Sequence, residues 1–336
     1  MNTETQELIK KQCKGKPHIK LTVGYISNGQ TEIKVYNETG EIENKDYVYE
    51  IGSITKTFVA SLLAKYIYEN KISPDDSIKS YINGLEDNRY YPPIKRLMTH
   101  TSGYSTNLPM SKMGLKPYKI YFTKGITNET FSLLLYMNEQ DMIRIMNEIK
   151  LKDKDYRWQY SNFGISLVGY AIGVVSGKGY EETMDDYLLN DLNLQNSFSG
   201  TDPDKNILGY SKKDTTGGNW ICDDNLLRPA GDISSTAGDL LRYAEINFNE
   251  ELPYLSLCHR KYAKMGFPFA KLLNVDMGLG WWVGKNSDII MHGGDTATFS
   301  SILIIDKSQK TAVVVLSNYP GNSLRLSKIA KSVLRD

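Results

Sequence analysis

The segment Glu50-Ile-Gly-Ser-Ile-Thr-Lys-Thr-Phe-Val-Ala-Ser-Leu-Leu-Ala-Lys-Tyr-Ile-Tyr-Glu69 sets the frame for the rest of the chain. Ser53 is a residue type that caps helix N-termini, and Ile54, Phe58, Leu62 and then Ile67 or Tyr68 recur at helical spacing, so the pattern predicts a helix beginning near Ser53. Residues three apart share a helix face, which puts Lys56 one turn on from Ser53 at the start of an apolar helix. Desolvation there disfavours the ammonium and lowers its pKa. A neutral amine can then take the proton of a serine hydroxyl, and the helix N-terminus supplies N–H groups able to hold an oxyanion. The plainer reading of the same four residues is a helix cap followed by a surface lysine. Ser53-Ile-Thr-Lys56 is nonetheless the one Ser-x-x-Lys in the chain.

Composition narrows the class. The 336 residues suffice for one large or two modest domains, and 40% hydrophobic with 24% charged residues is ordinary globular usage. Forty basic and 39 acidic residues leave a net charge of +1, too little for a field that would attract nucleic acid. Cys13, Cys222 and Cys258 are widely spaced, as are His18, His100, His259 and His292, so no disulfide framework, metal or other cofactor is expected. No run of about twenty apolar residues predicts a membrane span, and the N-terminus has no apolar leader core. A cytoplasmic protein, or one trimmed of its leader, is the expectation. Nothing in the sequence signals an oligomeric state.

Taken in order, residues 3 to 13 suit a short amphipathic helix, and His18 to Ile26 with Thr31 to Tyr36 form a hairpin at Asn28-Gly29. A short strand from Asp46 to Glu50 leads into Gly52-Ser53, which places the serine where a sheet meets a helix. Further helices are predicted over Thr127 to Lys150, after Tyr160-Ser-Asn-Phe-Gly164 as far as Gly177, over Glu181 to Leu189, and after Ser235 or Thr236. His100 reads as a buried turn histidine, since nothing near it in sequence offers a partner. The stretch from 196 to 227, around Trp220, reads as irregular surface. Gly278 to Val283, Ile289 to His292, Phe299 to Ile305 and Thr311 to Leu316 read as an antiparallel meander, closed by a helix from Ser323 to Leu334. The expected architecture is α/β (α+β): an antiparallel sheet built from both termini, about 1 to 70 and 275 to 336, flanked by helices. A helix-rich region, about 71 to 274, is inserted, the whole being a single catalytic domain.

Two more elements carry chemistry. Tyr160-Ser-Asn162 sits in a turn before a helix, where a tyrosine beside an ammonium can serve as phenolate or proton relay and an amide can orient lysine and substrate. The alternative is an ordinary turn tyrosine. His292-Gly293-Gly294-Asp295 is the one His-x-Gly of the chain and falls on a strand of the terminal sheet. Its glycines would let a substrate backbone lie along the strand edge, and the Asp295 N–H would complete an oxyanion hole with that of Ser53.

In order and broad spacing, Ser53-x-x-Lys56, Tyr160-x-Asn162 and His292-x-Gly294 resemble the three motifs of the serine beta-lactamase and penicillin-binding protein superfamily. The chain looks most like its class C branch with the related DD-peptidases, D-aminopeptidases and esterases. Leu97-Met-Thr-His-Thr-Ser-Gly-Tyr104 and Pro229-Ala-Gly-Asp-Ile-Ser-Ser-Thr-Ala-Gly-Asp-Leu240 add to a similarity spanning roughly residues 18 to 334. The resemblance implies that Ser53 attacks an acyl carbonyl, Lys56 and Tyr160 move protons, and Asn162, His292, Gly293, Gly294 and Asp295 bind substrate. Two positions depart from the pattern. His292 stands where beta-lactamases of this branch have Lys, which weakens the grip on a carboxylate and favours esterases or peptidases. Asp295 replaces a small residue, and an acid there would repel anions or select amines. The expected function is hydrolysis of a small ester or peptide-like amide through a Ser53 acyl-enzyme, with esterase and D-amino-acid peptidase level and beta-lactamase third. The other reading is a penicillin-binding sensor, or a binding module of the same fold without turnover.

Overall fold

The computed structural model describes residues 1–105, 136–211, 224–267, 269–320 and 323–335. Thr3–Cys13 forms helix α1, with the Asn2 side chain accepting from the Thr5 N–H at its start. The hairpin follows as β1 (Leu21–Ser27) and β2 (Gln30–Asn37), turned at Asn28 and Gly29 with both φ angles positive, as a two-residue turn matched to strand twist requires. β3 (Gly40–Ile42) extends it. At the other end of the chain, β7 (Val275–Met277), β8 (Trp282–Gly284), β9 (Ile289–Asp295), β10 (Ser300–Asp306) and β11 (Thr311–Ser317) run antiparallel.

These strands form one eight-stranded sheet in the order β3-β2-β1-β11-β10-β9-β8-β7. The termini meet at its centre, where Leu21 faces Ser317 and Val23 faces Val315. Both faces of the central strands are covered, which is why β10 and β11 read as unbroken apolar runs. Ile302, Ile304, Val313 and Val315 point to a core closed by α1 and the last helix, Ser323–Val333. Leu303, Ile305, Val314 and Leu316 point to the larger core on the helix-rich side. No described helix is long and apolar enough to cross a membrane.

The strand before the serine is shorter than the sequence suggests. Only Tyr49–Glu50 (β4) is extended, and it belongs to a separate three-stranded sheet with β5 (Phe198–Ser199) and β6 (Ile233–Ser235), in the order β4-β6-β5. Helix α2 (Thr55–Tyr68) follows a 3-10 turn over Gly52–Ile54, so Ser53 is not the cap of the α-helix, as its residue type implies. Gly52 bends the chain with φ +52, and the Ser53 hydroxyl is left untied to any helix N–H. Eleven of the fourteen α2 residues, Lys56 among them, are buried, and the helix runs through the interior with apolar surroundings on every side.

Of the predicted 127–150 helix, residues 136–150 are described and only Glu139–Glu148 is helical, because the Asn138 side chain caps its start by accepting from the Asp141 N–H; residues 127 to 135, like Trp220 and Cys222, lie outside the described residues. Helix α3 (Asn162–Ser176) ends at Gly177 in the left-handed conformation, as expected. The segment Tyr180–Asp186 is helical and widens into a π turn at Tyr187–Asp191. Helix α4 (Ala237–Phe248) is capped by Thr236, whose side chain accepts from the Asp239 N–H.

Candidate active site

The geometry starts from the turn at Gly52. A Cβ on Gly294 would lie 2.0 Å from the Ile51 carbonyl oxygen, and one on Gly52 would lie 3.0 Å from the Asp295 nitrogen. Side-chain-free positions on both segments are therefore what lets β9 close onto the serine turn. Gly293 is packed likewise, since its Cβ would sit 2.7 Å from that of Ser323. The protein's own packing takes the space where a Cβ on either glycine would sit. The Asp295 nitrogen does come beside the Ser53 turn, and the β8 pairing stops at Met291, leaving that edge of His292 to Asp295 outside the ladder.

Lys56 is fully buried. Its Nζ donates to Ser53 Oγ at 2.9 Å and to the Ala230 carbonyl at 2.5 Å, and lies 4.9 Å from the centre of the Tyr160 ring. Burial pushes the Lys56 pKa well below the ordinary lysine value. Once deprotonated, the amine would keep a donor for Ala230 and turn its lone pair to the Ser53 hydroxyl. Tyr160 is hydrogen-bonded to Ser53 from another side. Burial pushes the phenol up, the Ser53 hydrogen bond opposes this, and the Asp295 charge adds to the rise. Burial of the ring thus works against a resting phenolate and favours the protonated phenol.

The Tyr160 segment is held by the turn at His100. Tyr156 N–H donates to the Thr101 carbonyl at 3.1 Å, Gln159 N–H to the His100 carbonyl at 2.9 Å, and Ser161 N–H to His100 Nδ1 at 3.1 Å. The imidazole also packs 4.6 Å from the Tyr160 ring. His100 is indeed a buried turn histidine, at φ +59, but its partner comes from 61 positions away, where no local reading would find it. Ser161 caps α3 through the Gly164 N–H, and Asn162, the first helical residue, has its buried Oδ1 without a hydrogen-bond partner among the described residues.

His292 is completely buried, its Nδ1–H donating to the Gly293 carbonyl at 2.8 Å and its Nε2 without a partner among the described residues. Desolvation first, and then the neighbouring Lys56, push its pKa down to about 3. The residue is neutral at physiological pH and offers a lone pair rather than a cation. Asp295 presents its backbone to the site while its carboxylate turns away. The carboxylate accepts from Ser300 Oγ at 2.7 Å, from Ser323 Oγ at 2.8 Å and from Ser323 N–H at 3.0 Å, fastening the last helix to β9. Its side chain thus has a structural use that the sequence reading, with an acid selecting amines, did not foresee. Alongside the Tyr160 segment runs a cleft of about 1120 Å³ lined by Thr101, Trp158, Gln159, Tyr160, Tyr262 and Phe267.

The neutral burial of His292 has a thermodynamic consequence. In the unfolded chain it protonates near 6.5, in the fold near 3, so unfolding takes up a proton between those values. Its neutral form leaves stability intact above about 6.5 and costs stability as pH falls toward 3. The unfolding free energy of the wild type minus that of His292→Gln is expected to fall by up to ~1.4 kcal/mol per pH unit below about 6.5. Urea denaturation of both proteins between pH 7.5 and 5 measures it; a difference independent of pH would contradict the neutral burial.

Comparison with known proteins follows the same lines. A family model described as Beta-lactamase matches residues 15–332. "Protein flp" of Staphylococcus aureus (strain MW2) is 23% identical over 279 residues, covering 80% of this chain and 52% of the relative; the chain spans about half the length of the curated relatives it matches. Among solved structures, the beta-lactamase/D-alanine carboxypeptidase of Pseudomonas syringae superposes with a TM-score of 0.79 at 19% identity, covering 99% of this chain and 98% of that one. The D-stereospecific amidohydrolase of a Streptomyces species gives 0.76 at 19% identity, with 97% of each chain covered.

Proposed function

Since the chain belongs to the beta-lactamase family, we propose that it is a single-domain serine hydrolase that cleaves a small ester or peptide-like amide through an acyl-enzyme on Ser53. The observation that carries this reading is the buried Lys56 amine, 2.9 Å from Ser53 Oγ and anchored behind by the Ala230 carbonyl. Ser53 Oγ attacks the acyl carbonyl while its proton passes to Lys56 Nζ. The N–H groups of Ser53 and Asp295 receive the oxyanion, and Tyr160, protonated and hydrogen-bonded to Ser53, hands its proton to the leaving group and is refilled from Lys56. Water then attacks the acyl-enzyme, giving Oγ its proton back through the same groups. Asn162 Oδ1, without a partner among the described residues, accepts from a substrate N–H in this reading.

His292 decides the substrate class. A neutral imidazole brings no charge to a carboxylate next to the scissile bond, so an anionic beta-lactam gains nothing there that a neutral ester or amide lacks. One solved neighbour is described as a D-stereospecific amidohydrolase, which supports the amide side of this reading, and another carries both beta-lactamase and D-alanine carboxypeptidase in its description. The test is turnover of a p-nitrophenyl ester, a D-alanyl peptide amide and a penicillin by one preparation. Release from the ester or the amide at least about tenfold faster than from the penicillin, by kcat/KM, is the expected result, a difference of ~1.4 kcal/mol. Faster penicillin hydrolysis would overturn the substrate class. Stoichiometric labelling by penicillin with no turnover of any of the three would point instead to a sensor.

A further inference from the structure

Ala230, the second anchor of Lys56, sits in a turn that is itself clamped from behind. The turn is crossed by backbone bonds from Gly231 N–H (3.0 Å) and Asp232 N–H (3.1 Å), both to the Arg228 carbonyl. Its two ends are then joined by side chains, Arg228 Nε donating to Asp232 Oδ2 at 2.7 Å. Arg228 also pairs with Glu181, on the Tyr180–Asp186 helix, while the Asp232 carbonyl accepts from Gly200 N–H at 2.9 Å. On the far side the Ile233 N–H donates to Thr55 Oγ1, one residue before Lys56. Arg228 and Asp232 are both buried.

An ion pair in such a place adds little net stability, because desolvating two charges cancels most of their attraction; apolar residues of equal volume would serve packing as well. What the pair does supply is a fixed geometry for the carbonyl between its two members. Resting on the hydrolase reading above, we propose that Arg228 and Asp232 are positioning residues for the general base: their ion pair fixes the Ala230 carbonyl, and through it the Lys56 amine against Ser53. Burial pushes the Asp232 carboxyl up, against the pull of Arg228, with Asp185, Glu181 and the Tyr180 hydroxyl the other titratable groups facing it. Protonation of Asp232 would therefore loosen the clamp as pH falls.

The test compares wild type, Asp232→Asn and the double variant Arg228→Met/Asp232→Asn. The asparagine keeps an acceptor for Arg228, and the double variant leaves no buried charge unpaired, so folding is preserved in at least one of them. With a p-nitrophenyl ester, kcat is expected to fall by about tenfold to a hundredfold in the double variant, with KM within about twofold, because a sub-ångström shift of the base costs rate rather than binding. The acid limb of the pH profile of kcat/KM should move in Asp232→Asn, a change a merely structural role would not produce. A folded double variant with the wild-type rate and pH profile would overturn the role of the pair alone. Absence of a Ser53 adduct in the wild type would overturn the hydrolase reading and this role together.

Discussion

Lys56→Met is expected to slow acylation by about a thousandfold while leaving the protein as stable as the wild type or more so. The rate loss follows from the removal of the group that takes the serine proton, a contribution on the order of 10²–10⁴. The stability gain follows from what surrounds the amine: Lys56 is fully buried within an apolar helix, and burial pushes its pKa well down. In the unfolded chain the amine is protonated below about 10.5; in the fold it is neutral over part of that range. Unfolding therefore takes up a proton, and the wild type loses stability as pH falls from about 10.5 toward the folded value, a loss methionine cannot suffer. Methionine also matches the length of the aliphatic stem. The advantage of the variant should shrink as pH rises toward 10. Stopped-flow bursts with a nitrophenyl ester give the rate, and thermal melts at pH 7 and 9.5 give the stability. A variant that acylates normally would remove Lys56 from the mechanism. One that is destabilised at both pH values would show the bond to Ala230 outweighing desolvation.

The parts of this molecule that sequence reveals are those whose signal is local. Hairpin chemistry at Asn28-Gly29, the two-faced apolar strands β10 and β11, the Gly177 stop and the Thr236 cap are each decided by neighbours a few residues apart, and each stands where the pattern puts it. The serine, lysine and tyrosine are visible because proton-transfer chemistry needs those residue types in small spacings, and the fold brings all three together.

What stayed hidden depends on distant contacts. Nothing in Gly293-Gly294 says that the missing side chains make room for Ser323 and Ile51. Nothing beside Asp295 says that its carboxylate will fasten a helix beginning at Ser323. His100 supports Ser161 across 61 positions and the Ala230 carbonyl holds Lys56 across 174, whereas the Arg228–Asp232 pair flanking that carbonyl spans only four but pairs onward to Glu181, 47 positions away. The supporting layer of a site is assembled by tertiary packing, and only its reacting members leave a compact trace in the chain.

Ser53→Ala is expected to lower kcat/KM by a factor on the order of 10⁴ or more and to abolish the covalent adduct entirely. The loss is that of a bond rather than of a contact: without Oγ there is no acyl-enzyme, and only binding and oxyanion stabilisation remain to act on water directly. The fold should tolerate the change, within about 1 kcal/mol, because the serine hydroxyl serves no cap and Lys56 keeps its bond to the Ala230 carbonyl. Intact-mass measurement after incubation with a p-nitrophenyl ester, a D-alanyl peptide amide and a penicillin reads the adduct directly, with product release followed in parallel. A wild-type mass increase equal to the acyl group, absent in the alanine variant, would establish Ser53 as the nucleophile. If the variant is still labelled and still turns over, another group attacks the carbonyl, and the neutral amine beside Ser53 must serve a different reaction. If the variant is unlabelled yet hydrolyses the ester at the wild-type rate, water attacks without a covalent intermediate, and Lys56 would be activating that water instead.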